Sequence, residues 1–596
     1  MTRFTKQFVK ATLLAAVCTA TAHAATPPSV LTYTAPITAG STAKFAGGVT
    51  INRGANFLTE VPAEQKIGVV ATIEPAASDV GKPGDLYMVV NVHGKWYVRT
   101  PTGYDVWNGQ VASLKSFATK TLAASETISE TDFETKTGVQ FDGSNIFAHI
   151  GYATNTSPLT YSGPISANVR FINQGISCPG GTQQLSVSIA AKAVCELKGT
   201  YTSDLQLKND FEYLVSGGVF IGGDNTNSAA LTIDAGVKIY GKSGADFIRI
   251  SRGSKIHVNG SPEAPVIMTG AIDAVANINT TGAWGGLVLN GNAPLNGCTV
   301  GTVLCEAEAE GNAGKYGGNN PTESSGNINY LIVKYAGFEI SPGNELNSLT
   351  LNAVGSGTLI DYVQLHNGSD DGFETFGGTV NAKHLVLTGN DDDSLDWQRG
   401  WTGKVQHVLI LSKTIGDRGI EADNNSAARD SLPRSKPKVA NVTMIGRATN
   451  GNAVKLRDGT AGNMYNMLVK GYTTCVDIDH GPTFLNAGSS ATNQTGELSI
   501  VNSIFDCTTR PFSPATGDNW DTEAWFRAQS GNLVGASGLG VNDYRNSALV
   551  NANTVSDLSA TDSFFDKVDY IGAVKNEASD WTLGWTFRPP FEAIGK

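Results

Sequence analysis

Residues 360–397 read IDYVQLHNGSDDGFETFGGTVNAKHLVLTGNDDDSLDW, and within them one pattern is written twice. A strand-like run (IDYVQLHNG from 360, AKHLVLTGN from 382) leads to an acidic turn and a short second strand, GFETF at 372–376 and SLDWQ at 394–398. The first run recurs as INYLIVKYA from 328, VQHVLILSK from 405, VANVTMIGR from 439, MYNMLVKGY from 464 and IVNSIFDCT from 500. The seven copies are separated by 32, 22, 23, 34, 25 and 36 residues, so the short steps give the unit and the long steps add a loop. No hairpin signal separates the copies, and a propeller blade needs ~40 residues. The expected architecture is therefore an all-β solenoid, a parallel β-helix in which each unit stacks on the last.

Stacking turns sequence positions into columns about 4.8 Å apart, the strand spacing. The third residue of each copy gives Tyr330, Tyr362, His384, His407, Asn441, Asn466 and Asn502, a set suited to a side-chain ladder rather than catalysis. The second strands are GFEI (337–340), GFETF, SLDWQ, GIEAD (419–423), AVKLR (453–457) and CVDID (475–479). Their apolar second residue should point inward and the next one outward, giving an outer column of Glu339, Glu374, Asp396, Glu421, Lys455 and Asp477. Asp370, Asp371, Asp391, Asp392 and Asp393 in the preceding turns crowd it further. Two like charges ~5 Å apart repel by roughly 0.8 kcal/mol in water and ~3 kcal/mol at an effective dielectric of 20. A bound hard cation, calcium above all, would relieve this on Glu374, Asp396 and Glu421. Alternatively some carboxyls hold their protons and act as acids or bases, or they pair with cations. Lys455 and Arg457 on the next rung, Arg418, and the loop residues Arg429, Arg434, Lys436 and Lys438 are the partners in view. Asp370, Asp371, Asp392, Asp393, Arg418 and Asp423 are the expected ligand-binding rim.

Composition agrees with a long β structure. Charged residues make up 16% of the chain against the usual ~25%, and glycine supplies 68 positions. A net charge of -11 disfavours nucleic acid as a partner, since such binding relies on neutralising phosphates. Residues 1–24 have a basic start, a short apolar core and Ala-His-Ala at the end, an export signal peptide rather than a spanning helix. Cys18 follows Val17 where a lipoprotein site needs a small residue, so lipidation is not expected. No later run of ~18 apolar residues predicts a transmembrane helix. The remaining six cysteines predict disulfides, with nearest-neighbour pairing (178–195, 298–305, 475–507) the simplest connectivity.

Residues 25–170 differ in texture and predict a small β-sandwich, with Trp96 and Tyr97 packing and His93 and His149 structural. The β-helix is expected over 175–515, followed by a terminal rung and cap over 516–596, where SFFDKVDYIGAV and DWTLGWTF should cover the last coil. In the early coils, LTIDAGVKIYG (231–241) and FIRISRGSKIHVNG (247–260) read as successive units with turn glycines at 236 and 253.

The phrases GAWGGLVLNGNAPLN, SSGNINYLIVKYAGFEI, SDDGFETFGGTVNAKHLVLTGNDDDSLDW and YIGAVKNEASDWTLGWTFRPP span roughly 230–596. In them the chain resembles the right-handed parallel β-helix group of pectate lyases and polygalacturonases. It is closer still to exported bacterial β-helix proteins of uncharacterised function. The resemblance implies calcium on Glu374, Asp396 and Glu421 and, for a lyase, Lys455 or Arg457 as the base that removes a proton beside a uronate carboxyl. Glycoside hydrolases of this fold would instead use paired acids, here Asp392 and Asp393. The Gly-His-Gly and Arg-Ile-Lys signature of polygalacturonases is absent, and fold alone assigns no chemistry. GxSxG, HExxH and Walker motifs are absent too. Three function classes follow. One is an exported protein binding a cation and an extracellular or cell-surface polysaccharide, with exposed aromatics for which Trp401 and Trp397 are candidates, although Trp397 follows the inward alternation of a core residue. The second is a polysaccharide lyase or hydrolase in which Lys455 or Arg457 is free of ion pairs. The third is a structural component of the cell surface. Residence outside the cell, in the periplasm or on the outer surface would suit each.

Overall fold

The computed structural model describes residues 41–51, 66–92, 95–134, 146–166, 177–189, 192–299, 302–414, 416–447, 451–488, 496–509, 512–514, 520–535, 537–539, 543–545, 554–588 and 590–594, with short strands at Thr32–Thr34 and Asn56–Phe57. The signal peptide, Cys18 and His93 lie outside these residues. Two units are present, Met1–Ser177 and Cys178–Lys596.

The first unit is a sandwich of two antiparallel sheets, one of eight strands and one of four. Phe45, Ala71, Ile73 and Ile128 of the smaller sheet meet Leu86, Met88, Ala148, Ile150 and Tyr152 of the larger in one core. Strands Pro83–Val92 and Lys95–Thr100 pair antiparallel. Trp96 and Val98, two residues apart, share the face opposite that core, where Trp96 packs edge-on to Trp107 and Phe147. His149 Nδ1 lies 2.8 Å from the Ser162 carbonyl, a structural hydrogen bond.

The second unit is the right-handed parallel β-helix, a single sheet path of 26 strands. Its regularity shows in the register: Phe373 pairs with Leu395 and Leu395 with Ile420, while Val363 pairs with Leu385 and Leu385 with Val408. Each long strand, such as Leu359–His366 or Asn381–Thr388, is bent at its third repeat residue. Asp361 pairs with Lys383 and Val363 with Leu385, but Tyr362 and His384 between them do not pair. The cause is conformational. Tyr330, Tyr362, His384, His407, Asn441, Asn466 and Asn502 all have φ between 50° and 62°, the left-handed region. One such residue turns the chain through a corner, so one strand supplies two sides of a three-sided coil. Asparagine enters this region readily, while tyrosine and histidine do so at a cost of ~1–2 kcal/mol. Ring stacking offsets that cost: centroids lie 4.4 Å apart for Tyr330–Tyr362, 4.3 Å for Tyr362–His384 and 4.9 Å for His384–His407.

A continuous core fills the coils, including Phe373, Leu395, Ile420, Val454 and Val476. Trp397 and Trp401 belong to it and are fully buried, so neither offers a binding face. The early units need correcting as well. Leu231 pairs with Ile256 and Ile239 with Met268, so Gly236 and Gly253 mark two different corners rather than one repeated turn. Disulfides join Cys178–Cys195, Cys298–Cys305 and Cys475–Cys507, as nearest-neighbour pairing predicts.

The last coil is capped by the helix Thr522–Ala528, whose Trp525 and Phe526 enter the core beside Phe505 and Phe512. Leu533–Val534 then pairs with Ile504 and Phe505 as a terminal rung, whereas SFFDKVDYIGAV and DWTLGWTF, expected to cover the last coil, lie elsewhere. Residues 556–587 run back along the corner flank as a strap. Asn466 donates to the Ser556 carbonyl, and Asn441 donates to those of Tyr570 and Gly572. Trp585 stands edge-on to Tyr330 and Tyr362, and the Phe587 amide donates to Gln364.

Candidate functional site: a buried carboxylate stack

The outer column exists from its second member onward. Glu374 pairs in register with Asp396, Asp396 with Glu421, Glu421 with Lys455 and Lys455 with Asp477. The position before Glu374 is Thr350, on the strand Leu349–Asn352. Glu339 lies in a separate hairpin, Glu339–Ser341 with Asn344–Glu345. The strand following the copy at 328 is therefore LTLN, because an excursion separates the two.

The side chains point away from the solenoid core but not into open water. Glu374 and Asp396 are each 5% exposed and Glu421 7%. Part of this outer face is covered by an apolar cluster of Leu295, Ala309, Ala313, Tyr316, Leu346 and Phe376, built largely from residues of the excursions after Asn290 and Lys334. Those excursions also bring Glu310 and Glu345 into electrostatic reach of Glu374 and Asp370. The turns stack in parallel with the column: the Asp371 amide donates to Asn347 Oδ1, the Asp393 amide to Asp371 Oδ1, and Arg418 reaches Asp393 Oδ2 at 3.2 Å.

Charge compensation divides the stack in two. Arg418 pairs with Glu421 (2.9 Å), Asp417 (3.0 Å) and Asp393, while Arg457 pairs with Glu421 (2.5 Å) and Asp423 (3.0 Å). Among the described residues, no lysine or arginine forms an ion pair with Asp371, Glu374 or Asp396. These three offer carboxylate oxygens within 4.8 Å of one another. Glu374 accepts from Asn347 (2.5 Å) and Gln398 (3.0 Å). Asp396 Oδ1 and Asp393 Oδ1 are buried with no hydrogen-bond partner. An orphaned buried carboxylate oxygen is costly and needs a proton or an ion.

Burial, reinforced by neighbouring carboxylates, pushes Asp371, Glu374, Asp393 and Asp396 well above the usual carboxylate range. Asp370 is pushed up to about 8, by burial and then Asp392. Glu421 is pushed up to about 7, burial outweighing the pull of Arg418. Asp370 and Asp392 join Asp371 in a second cluster, and Asp392, Asp393 and Asp417 form a third. Asp392 and Asp417 each keep 47% of their side chain exposed, so a carboxylate path leads from solvent to the buried triad.

The cations expected beside the stack are engaged. Lys455 is tied to Asp477 at 2.8 Å and Asp479 at 2.5 Å, and Arg457 holds Glu421 and Asp423. Neither meets the requirement of a base free of ion pairs. Arg429 pairs with Asp458, Arg434 with Asp430, Lys436 with Glu497 and Lys438 with Asp562, so these expected partners are tied to acids outside the column. Sequence reading missed Asn347, Gln398, Asp417, Glu310 and Glu345. Gln398 stands two residues past Asp396 and was accessible to strand alternation. Asn347 stands three before Thr350, as Asp371 does before Glu374, but only once LTLN is recognised as the strand. Glu310 and Glu345 ride on excursions outside the repeat.

Fold and site thus define a parallel β-helix protein with an acidic stack on one outer face. Residues 199–586 match the family model for a pectate-lyase like beta helix domain, and the chain belongs to that family. No curated protein matched the chain. Among solved structures, it is similar to the catalytic domain of a GH87 alpha-1,3-glucanase in complex with nigerose. Identity is 8% and the TM-score 0.22, with 86% of this chain and 99% of that chain covered. A D1069A form of such a domain with tetrasaccharides gives 9% identity and a TM-score of 0.20, over 86% and 98% of the two chains. Likeness at this level carries no argument about activity.

Proposed function

We propose that this is an exported β-helix protein that holds a divalent cation, calcium by donor type, on its carboxylate stack and binds an extracellular or cell-surface polysaccharide over the rim. The carrying observation is Asp396 Oδ1, buried without a partner beside Asp371 and Glu374 in a triad that no lysine or arginine among the described residues pairs with. Calcium takes six to eight oxygens at about 2.3–2.6 Å in flexible geometry. Asp371, Glu374 and Asp396 would hold it, with Asp370, Asp392 and Asp393 next in line. A bound ion would supply a hard Lewis-acidic centre for sugar oxygens. Asn347 and Gln398 fix the Glu374 carboxylate, and Arg418 balances Asp393 and Glu421 behind it. Membership of the pectate-lyase-like family supports carbohydrate as the ligand class, and the three disulfides suit an oxidising compartment.

The test is retention on immobilised uronic-acid and neutral polymers, with calcium and after chelation. The reading expects retention that chelation abolishes, and equal passage through every polymer under both conditions would refute it. A hydrolase is the second reading, favoured by Asp370: a carboxyl pushed up to about 8 keeps a proton at neutral pH beside Asp392 and could act as an acid. It predicts release of reducing ends, lost in Asp370→Asn. The ion pairs of Lys455 and Arg457 weigh against a lyase base, so no unsaturated-product absorbance is expected.

A further inference from the structure

Corner residues His384 and His407 sit where later coils carry Asn441, Asn466 and Asn502. Since asparagine serves this backbone better, the corner itself does not call for imidazole. What distinguishes the two histidines is what faces them. On the strap, Asp566 directs Oδ2 to 3.4 Å from His407 Nε2. Its other oxygen is held by Lys383 at 2.7 Å. His384 Nδ1 lies 2.7 Å from the Asp361 carboxylate, and His407 Nδ1 lies 3.3 Å from the Tyr570 hydroxyl.

We propose that His384, His407 and Asp566 form a binding site for a first-row divalent metal ion, zinc by donor type, that pins the strap to the solenoid flank. One ligand atom from each residue lies within 4.8 Å of the other two. Two imidazoles and a carboxylate are a recognised three-ligand set for zinc, which leaves a fourth position for water. Asp566 is half exposed, so that position is open to solvent. Asp361 on His384 is the outer carboxylate that orients metal-binding histidines and raises their basicity. Zinc–nitrogen bonds of ~2.0–2.1 Å require the three groups to close inward by roughly 1 Å. The strap carrying Asp566 and the rings, stacked rather than wedged, can supply that movement. The site is separate from the carboxylate stack and uses softer donors.

The test uses the full chain carrying Glu374→Gln and Asp396→Asn, so that the acidic stack does not compete. Cobalt serves as a visible probe and zinc as competitor. The proposal expects one equivalent of cobalt, with the absorption bands of a nitrogen-ligated site, displaced by zinc. His384→Asn with His407→Asn keeps the corner ladder and should abolish the bands. Asp566→Asn on the strap should do the same without touching the solenoid. Asp361→Asn should weaken binding about 10–100-fold, as loss of an outer partner does. Absence of stoichiometric cobalt and zinc binding, or bands that survive both ligand-removing variants, would overturn the assignment.

Discussion

Tyr362 shows what a single residue contributes to this molecule. Its φ of 53° turns the coil, and its ring lies between Tyr330 and His384. Replacement by valine should cost about 2 kcal/mol or more, from left-handed strain at a β-branched residue and lost stacking. Tyr362→Asn, the residue used at later corners, should cost less than half as much; denaturant melts of both variants check the order. His366 makes a second, pH-dependent prediction. It is 1% exposed, and burial, then the Lys334 and Lys413 charges, hold its pKa down at about 3. The unfolded imidazole takes a proton near pH 6.5 while the folded one stays neutral. Its stabilising share is therefore complete above pH 6.5 and lost progressively as pH falls toward 3, at ~1.4 kcal/mol per unit. The His366→Gln variant should lose stability less steeply across that window, by one proton's slope. The recurrence of Tyr, His and Asn at this position was legible in the sequence. The bend was not, because hydrophobic periodicity runs straight through the corner and hides a one-residue change of φ.

At the scale of elements, the carboxylate stack was legible wherever a second strand follows its partner after a short turn. That holds for GFETF, SLDWQ and GIEAD. It failed at GFEI, where a hairpin intervenes before the true strand and a locally similar phrase took its place. The strap was illegible for a different reason. Its phrase DWTLGWTF carries no repeat, and its partners Tyr330 and Tyr362 lie over 200 residues away in sequence. Only aromatic content marked it as covering something. Trp585, 3% exposed, packs with Ile332 and Val386. Trp585→Ala should cost about 3–5 kcal/mol of local stability. Limited proteolysis should then cut the strap while the coils stay protected, because each coil is held chiefly by its neighbours.

For the whole molecule, repetition made the solenoid readable, since stacked coils share one local code. The surroundings of the site were not readable, because the 291–325 excursion that helps cover the acidic face obeys no repeat. That covering changes the chemistry. An open carboxylate column would be hydrated and weakly repulsive, whereas a buried one must bind a proton or a cation. The central claim is that Asp371, Glu374 and Asp396 are built for the cation. Calorimetric titration of calcium into the wild-type chain and into Glu374→Gln with Asp396→Asn tests it most directly. The account predicts a saturable calcium site in the wild type that the double variant lacks. Identical heats from the two proteins would contradict it.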